Sequence, residues 1–112
     1  MESIDRSILV TTESELEKAI TGKERVITLF YATWCPYCIG FLPIFREYAR
    51  GRDDILLVED DRWQMSEKYK VEVVPTALCF ENGKVIRRLD GVLGVGLKEN
   101  ELAEFIEVCG LK

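Results

Sequence analysis

The sequence predicts an α/β fold in which a central mixed β-sheet is flanked by helices, in the order βαβαβαββα. Three observations indicate it: short apolar runs alternate with segments of helical periodicity, a tight-turn dipeptide joins the last two runs, and an amphipathic segment follows them. The 112 residues are 47% hydrophobic, which is enough for one buried core. We therefore expect residues 1–112 to form a single domain.

The first elements are defined by apolar runs and by helix-capping residues. Residues 7–10 form a short apolar strand, and Thr12 and Glu15 have the capping-box spacing that opens a helix, which ends at Gly22. Residues 26–31 are an almost continuous apolar run, typical of a strand covered on both faces. This run is predicted to be the central strand.

A second helix is predicted to start near Cys35, because apolar residues recur at helical spacing from Cys38 to Ala49. Pro43 lies inside this helix and removes one backbone hydrogen bond, so a kink is expected there. Residues 55–58 form the next strand, and a helix follows in which Met65 and Tyr69 lie one turn apart.

The last part of the chain switches to antiparallel pairing. Residues 76–80 and 84–89 flank Asn82-Gly83, a dipeptide that accepts the positive φ angles of a tight hairpin turn. Apolar residues from Leu102 to Cys109 then mark one face of a final helix that ends near Gly110.

The composition excludes several classes of partner. Fifteen Lys and Arg against 20 Asp and Glu give a formal net charge of −5, which repels nucleic acid and anionic lipid. Charged residues interrupt the first ten positions, so these lack the apolar stretch of a signal peptide or membrane span. We expect a cytoplasmic monomer.

The chain has no histidine, which excludes Ser/His and Cys/His nucleophilic pairs and His-metal sites.

The chemistry is predicted to lie in Trp34-Cys35-Pro36-Tyr37-Cys38. The two thiols are three residues apart at a helix start, a spacing that a disulfide can close. Unpaired N–H groups and the helix dipole favour a thiolate at Cys35, so Cys35 is the predicted nucleophile and the more buried Cys38 the resolving thiol. Pro36 suits the first turn because its missing N–H has no intrahelical partner there.

This pair predicts thiol–disulfide exchange with disulfide-containing protein substrates. Cys35 attacks a substrate disulfide, and Cys38 then attacks the mixed disulfide and releases the reduced substrate. No metal and no cofactor beyond the Cys35–Cys38 disulfide is expected. An inert internal disulfide and a zinc site are the alternatives, but Cys79 and Cys109 lie 30 residues apart, which is poor zinc-ribbon spacing.

Several motifs resemble the thioredoxin family: ATWCPYC after an apolar strand, Pro43 five residues beyond Cys38, VVPT at residues 73–76 and FENGK at residues 80–84. The resemblance covers nearly the whole chain. It implies a thioredoxin fold and protein disulfide reductase activity.

The resemblance also implies a substrate-binding surface beside the cysteine pair. Pro75 is expected to be cis and to face the thiols, and the backbone of Val74 is expected to pair with an extended substrate segment. Thr76 is expected to belong to the same substrate-binding surface. Gly91 is expected to permit a close approach of the backbone near the site.

The dipeptide Pro36-Tyr37 is instead typical of dithiol glutaredoxins. Trp34, the Asn82-Gly83 hairpin and the lack of a Gly-Gly-Asp-like segment argue against a true glutaredoxin. We interpret the chain as a thioredoxin-like protein with a glutaredoxin-type active-site sequence. Its electron donor is therefore either thioredoxin reductase or glutathione. A glutathione-dependent glutaredoxin and a non-enzymatic module that holds a metal or iron–sulfur cluster through Cys35 are the alternative functions.

Leu29 lies where many thioredoxins carry a buried aspartate that assists proton transfer. Glu59, at the end of the neighbouring strand, is a candidate proton acceptor in its place, although a solvated charge explains it more simply.

The remaining polar and reactive residues are given structural roles. Cys79 is predicted to be a core thiol, and Cys109 to lie on the apolar face of the last helix or to be exposed enough to oxidise. Asp60 and Asp61 are expected to cap a helix. Trp63 is either a partner-facing aromatic or a residue that packs against a helix, and the second is the commoner role.

Overall fold

In the computed structural model, which describes residues 9–110, the elements follow the predicted order. They are β1 (Leu9–Val10), α1 (Glu13–Thr21), β2 (Arg25–Tyr31), α2 (Pro36–Ala49), β3 (Ile55–Glu59), α3 (Gln64–Lys68), β4 (Thr76–Glu81), β5 (Lys84–Leu89) and α4 (Glu99–Val108). The part of the first predicted strand at residues 7–8 lies outside the described residues.

The strands form one mixed sheet in the order β1-β3-β2-β4-β5. β1, β3 and β2 run parallel, whereas β4 is antiparallel to both β2 and β5. As predicted, β2 is the central strand, and each of its residues from Val26 to Tyr31 is buried. The carboxyl ends of the parallel neighbours β2 and β3 therefore meet at one edge of the sheet.

Local sequence signals account for the turns and helix starts. Thr12 accepts the N–H of Glu15 at 3.1 Å, and the Glu15 carboxylate accepts the N–H of Thr12 at 3.3 Å, which completes the predicted capping box. Asn82 and Gly83 have φ angles of 52° and 86°, as their hairpin turn requires. Both signals are confirmed.

Helix α2 positions the cysteine pair on the sheet. It begins at Pro36 and continues through Pro43 to Ala49, so the expected helix start is confirmed. The kink at Pro43 stays a prediction. The buried side chains of Phe41 and Phe45 anchor the helix in the core, and hold its first turn against the carboxyl end of β2.

Within residues 9–110, no helix combines the length and the apolar character needed to cross a membrane.

Candidate active site

Cys35 is the N-cap residue of α2. Its backbone is extended, with φ −95° and ψ 116°, and its sulfur accepts the backbone N–H of Cys38 at 3.3 Å. Serine or aspartate oxygens commonly occupy this place, where the first N–H groups of a helix lack partners. A negative charge on the Cys35 sulfur is therefore stabilised by the N–H and by the helix dipole.

The backbone just before β4 lies beside the same sulfur. The Cys35 thiol donates to the Val74 carbonyl oxygen at 3.6 Å, and the Val74–Pro75 peptide bond is cis, as the family resemblance implies. The hydroxyl of Thr76 accepts the N–H of Gly91 at 3.1 Å. A side chain at Gly91 would collide with the Pro75 carbonyl oxygen, so the close approach expected at this glycine is confirmed.

Cys38 lies deeper than Cys35. It is fully buried, as expected, whereas Cys35 is 5% exposed. Burial raises the pKa of Cys38 to about 12, and its hydrogen bond with Cys35 and the nearby negative charge of Asp61 act in the same direction. Cys38 is therefore a protonated thiol at neutral pH.

An apolar groove of about 260 Å³ reaches Cys35. Its lining comes from the loop before α2, from the start of α2, from the segment before β4 and from the loop after β5. The lining residues are Trp34, Cys35, Pro36, Tyr37, Trp63, Glu72, Val73, Val74, Val92, Leu93 and Gly94. A larger hollow of about 550 Å³ is lined mainly by charged side chains and contains neither thiol, so we assign the site to the groove.

Large apolar side chains around the groove face solvent. Trp34 is 55% exposed, Tyr37 47% and Leu93 84%. Exposed apolar side chains grouped around a reactive atom are typical of a binding surface, because their burial by a partner is favourable.

Six groove residues were not predicted as site residues: Trp63, Glu72, Val73, Val92, Leu93 and Gly94. The rings of Trp63 and Trp34 are 6.0 Å apart, and Trp63 lines the groove rather than only packing on a helix. Its place just after β3 was a usable signal, since the ends of β2 and β3 meet. The apolar residues between Gly91 and Gly96 were another, because several apolar side chains in one glycine-rich loop can form an exposed apolar patch.

The two aspartates after β3 have different roles. The Asp60 carboxylate accepts the N–H groups of Gln64, Met65 and Ser66 at the start of α3, so the capping interpretation is confirmed for Asp60. It is wrong for Asp61. The Asp61 carboxylate instead binds the loop that leads to Cys35, because that loop and the end of β3 are neighbours in space.

Asp61 accepts hydrogen bonds from two residues of the loop between β2 and α2. Its carboxylate accepts the N–H of Thr33 at 2.7 Å and the Thr33 hydroxyl at 2.6 Å, and these bonds lower the pKa of Asp61. Its carbonyl oxygen accepts the indole N–H of Trp34 at 3.0 Å. Asp61 is thus a supporting residue of the site that the sequence analysis missed.

The Glu59 carboxylate accepts a hydrogen bond from the Tyr31 hydroxyl at 3.0 Å. Burial and the Glu59 charge together raise the pKa of Tyr31. Leu29, on the same strand as Tyr31, is fully buried. The role of Glu59 as a proton acceptor stays a prediction.

The other two cysteines lie outside the groove. Cys79, in the middle of β4, and Cys109, at the end of α4, are both fully buried in the core. Among residues 9–110 there is no group of three or more Cys, Asp or Glu side chains that could hold a metal ion.

Comparison with known proteins gives matches over most of the chain. The family model described as Thioredoxin matches residues 7–108. Thioredoxin of Mycoplasmoides gallisepticum is 30% identical over 101 residues, which cover 88% of this chain and 97% of that protein. Thioredoxin-1 of Saccharomyces cerevisiae is 31% identical over 91 residues, with coverages of 79% and 88%. Among solved structures, Plasmodium falciparum thioredoxin aligns with a TM-score of 0.74 at 25% identity, covering 89% of this chain and 96% of that one.

Proposed function

Because this chain belongs to the thioredoxin family and is a thiol–disulfide oxidoreductase, we propose that Cys35 and Cys38 are its redox pair and that it reduces disulfides of protein substrates. One observation carries the assignment. The Cys35 sulfur is the N-cap of α2, accepts the Cys38 N–H at 3.3 Å and lines the apolar groove.

The first step is attack by the Cys35 thiolate on one sulfur of a substrate disulfide. A bond forms between Cys35 and that sulfur, the substrate S–S bond breaks, and the other substrate sulfur leaves as a thiolate. The N–H of Cys38 stabilises the attacking thiolate before this step, because it points at the Cys35 sulfur.

The second step is attack by Cys38 on the Cys35 sulfur of the mixed disulfide. The pKa of Cys38, raised to about 12, keeps its proton in place until the mixed disulfide has formed. The substrate thiolate that leaves is the base that the step requires, so the Cys38 proton ends on substrate sulfur. The first substrate thiolate takes a proton from water, which balances the proton that Cys35 lost on ionising. The products are the Cys35–Cys38 disulfide and two substrate thiols, and no cofactor takes part.

The substrate segment is proposed to lie extended along Val74, Pro75 and Thr76. The Val74 carbonyl is 3.6 Å from the Cys35 sulfur, so backbone pairing at Val74 brings a substrate disulfide next to the nucleophile. Gly91 supports this edge by leaving room for the Pro75 carbonyl. The exposed rings of Trp34 and Tyr37 favour apolar side chains on the substrate.

Thioredoxin reductase is proposed as the electron donor, with glutathione as the alternative. Glutathione carries two carboxylates, yet no Lys or Arg is among the described residues that line the groove, where Glu72 supplies a negative charge. This lining supports a protein donor, despite the glutaredoxin-type Pro36-Tyr37 dipeptide. We further propose that the chain acts as a single-domain monomer in the cytoplasm.

The assignment of the thiols is tested by reduction of insulin disulfides, with dithiothreitol as the terminal reductant. Cys35→Ser is expected to abolish the activity. Reduced Cys38→Ser, freed of dithiothreitol and then mixed with insulin, is expected to accumulate a covalent adduct between Cys35 and insulin, visible on a non-reducing gel and released when dithiothreitol is added. Cys79→Ala is the matched control, because it removes a buried thiol outside the groove and should keep the activity.

Folded Cys35→Ser protein with full activity would reject the role of Cys35. The donor is tested separately, by coupling NADPH oxidation to turnover through thioredoxin reductase or through glutathione and its reductase. Turnover with glutathione alone would replace the proposed donor and leave the roles of the thiols unchanged.

A further inference from the structure

Cys79 and Cys109 form a second pair of thiols, separate from the redox pair, since neither lines the groove. Both side chains are fully buried. Cys79 belongs to β4, and Cys109 is the C-cap residue of α4. The two side chains interact with each other, so the two thiols are neighbours although 30 residues separate them in sequence.

The sheet register explains why the two residues meet. Cys79 lies opposite Ile27 in the β2–β4 pair, and Glu81 lies opposite Arg25, so all four side chains point to one face of the sheet. The Arg25 guanidinium donates to the Glu81 carboxylate at 2.7 Å and to the Cys109 carbonyl at 2.8 Å. Arg25 thereby holds the end of α4 over the face that carries Cys79.

The two thiols are chemically unequal. Interaction with the Cys109 side chain lowers the pKa of Cys79, and the positive charges of Arg25 and Arg87 act in the same direction. Interaction with Cys79, together with burial, raises the pKa of Cys109. Cys79 is therefore the thiol of the pair that ionises first.

We propose that Cys79 and Cys109 are a second oxidisable pair, which a small-molecule disulfide converts to an internal disulfide between β4 and α4. The Cys79 thiolate attacks the reagent disulfide, forms a mixed disulfide and releases one reagent thiolate. Cys109 then attacks the Cys79 sulfur, the second reagent thiolate leaves, and the Cys109 proton passes to reagent sulfur. The first reagent thiolate takes from water the proton that Cys79 lost on ionising. Two protein thiols thus lose two electrons in total, and one reagent disulfide becomes two thiols.

Access to the buried pair comes from the end of α4. Cys109 is in the terminal turn, which ends at Gly110 with φ 80°, and terminal turns open locally far more often than the core. The disulfide joins that turn to the sheet and opposes its opening. Oxidation is therefore expected to stabilise the fold and to leave the groove around Cys35 unchanged.

The test uses the full chain carrying Cys35→Ser and Cys38→Ser, so that only Cys79 and Cys109 can react. This protein is incubated with oxidised glutathione over a series of temperatures up to just below its unfolding midpoint, and then quenched by alkylation. Peptide mapping is expected to show Cys79 joined to Cys109, in a monomer lighter by two hydrogen atoms. The midpoint of thermal unfolding is expected to rise by roughly 10 °C for this loop length, and to return on addition of dithiothreitol.

The matched control adds Cys109→Ala to that variant and should show neither the linked peptide nor the shift. Three outcomes overturn the proposal: alkylation of both cysteines under every oxidising condition, a lasting glutathione adduct on either one, or disulfide-linked dimers. The linked peptide is sought in the variant that retains both thiols, so the result does not depend on how well the control folds.

Discussion

The carboxylate of Asp61 accepts two hydrogen bonds from Thr33, at 2.7 Å from the backbone N–H and 2.6 Å from the hydroxyl. The two residues follow neighbouring parallel strands, β3 and β2. The bonds hold the loop between β2 and Cys35, and with it the exposed indole of Trp34. Two sets of contacts thus position Cys35: its own N-cap hydrogen bond at the start of α2, and the hydrogen bonds from Thr33 to Asp61.

Asp61→Asn is expected to lower the free energy of unfolding by about 1 kcal/mol at pH 7, because hydrogen bonds to an ionised group exceed those to a neutral amide. The pKa of Asp61 is lower in the folded protein than in the unfolded chain. The ionised carboxylate therefore stabilises the fold at pH values above the unfolded pKa, and this contribution is lost as the pH falls through the folded pKa. Urea unfolding at several pH values should therefore show the two proteins converging in acid. Asp53→Asn is the control, since this residue is highly exposed and its bridge to Lys23 contributes little.

Alkylation is expected to distinguish the two active-site thiols. Iodoacetamide at pH 8 should modify Cys35 in the folded reduced protein and leave Cys38 unmodified, because Cys38 is fully buried and its pKa is about 12. Peptide mass spectrometry after a time course measures the order in which the two cysteines are alkylated. Modification of Cys38 first, in folded protein, would contradict the assignment.

The raised pKa of Cys38 also predicts a dependence of stability on pH. The folded protein holds the Cys38 proton more tightly than the unfolded chain does. The resulting contribution to stability is complete below the unfolded-state pKa of about 8.5 and is lost as the pH rises toward the folded-state pKa of about 12. The free energy of unfolding should fall less steeply across this range in Cys38→Ala than in the wild type. Parallel slopes would show that Cys38 does not titrate in this way.

Gly91→Ala is expected to destabilise the fold by roughly 1–3 kcal/mol, because the added Cβ has to displace the Pro75 carbonyl next to the site. Gly40→Ala is the matched control. Gly40 lies in α2, and a Cβ added there would meet no neighbouring atom, so alanine should stabilise the helix by about 1 kcal/mol. Thermal unfolding of both variants measures the contrast, and equal effects would contradict the close approach at Gly91.

Leu93→Glu is expected to reduce kcat/KM for insulin reduction roughly tenfold, because a charge replaces an apolar side chain that the substrate would bury. The unfolding midpoint should change little, since Leu93 is 84% exposed. Ile86→Glu, on β5 and outside the groove lining, is the control and should keep the activity. Equal losses in the two variants would argue against the groove as the substrate surface.

Glu59→Gln tests the candidate proton acceptor. If the leaving substrate thiolate takes the proton of Cys38, this variant keeps its rate of insulin reduction and loses about 1 kcal/mol of stability through the weakened bond from Tyr31. A large fall in the rate of mixed-disulfide resolution, with folding intact, would instead assign the proton to Glu59. Rapid quenching with acid resolves that step.

The order of the elements and the place of the thiol pair could be read from the amino-acid sequence alone. The capping box at Thr12, the Asn82-Gly83 turn and the proline after Cys35 act through local backbone geometry, so each can be recognised without knowing what packs against it. The alternation of apolar runs with helical periodicity then identifies the sheet and its helices, and the spacing of Cys35 and Cys38 identifies the chemistry.

The surroundings of the thiols, in contrast, emerge only when the chain is folded. The bonds from Thr33 to Asp61 span 28 residues, the contact between Cys35 and Val74 spans 39, and Cys79 and Cys109 meet where Arg25 binds the end of α4. Such contacts depend on strand order, register and the angle at which a helix meets the sheet. These properties arise from packing among segments that are distant in sequence, so the local sequence around a residue does not specify which distant side chain it will contact.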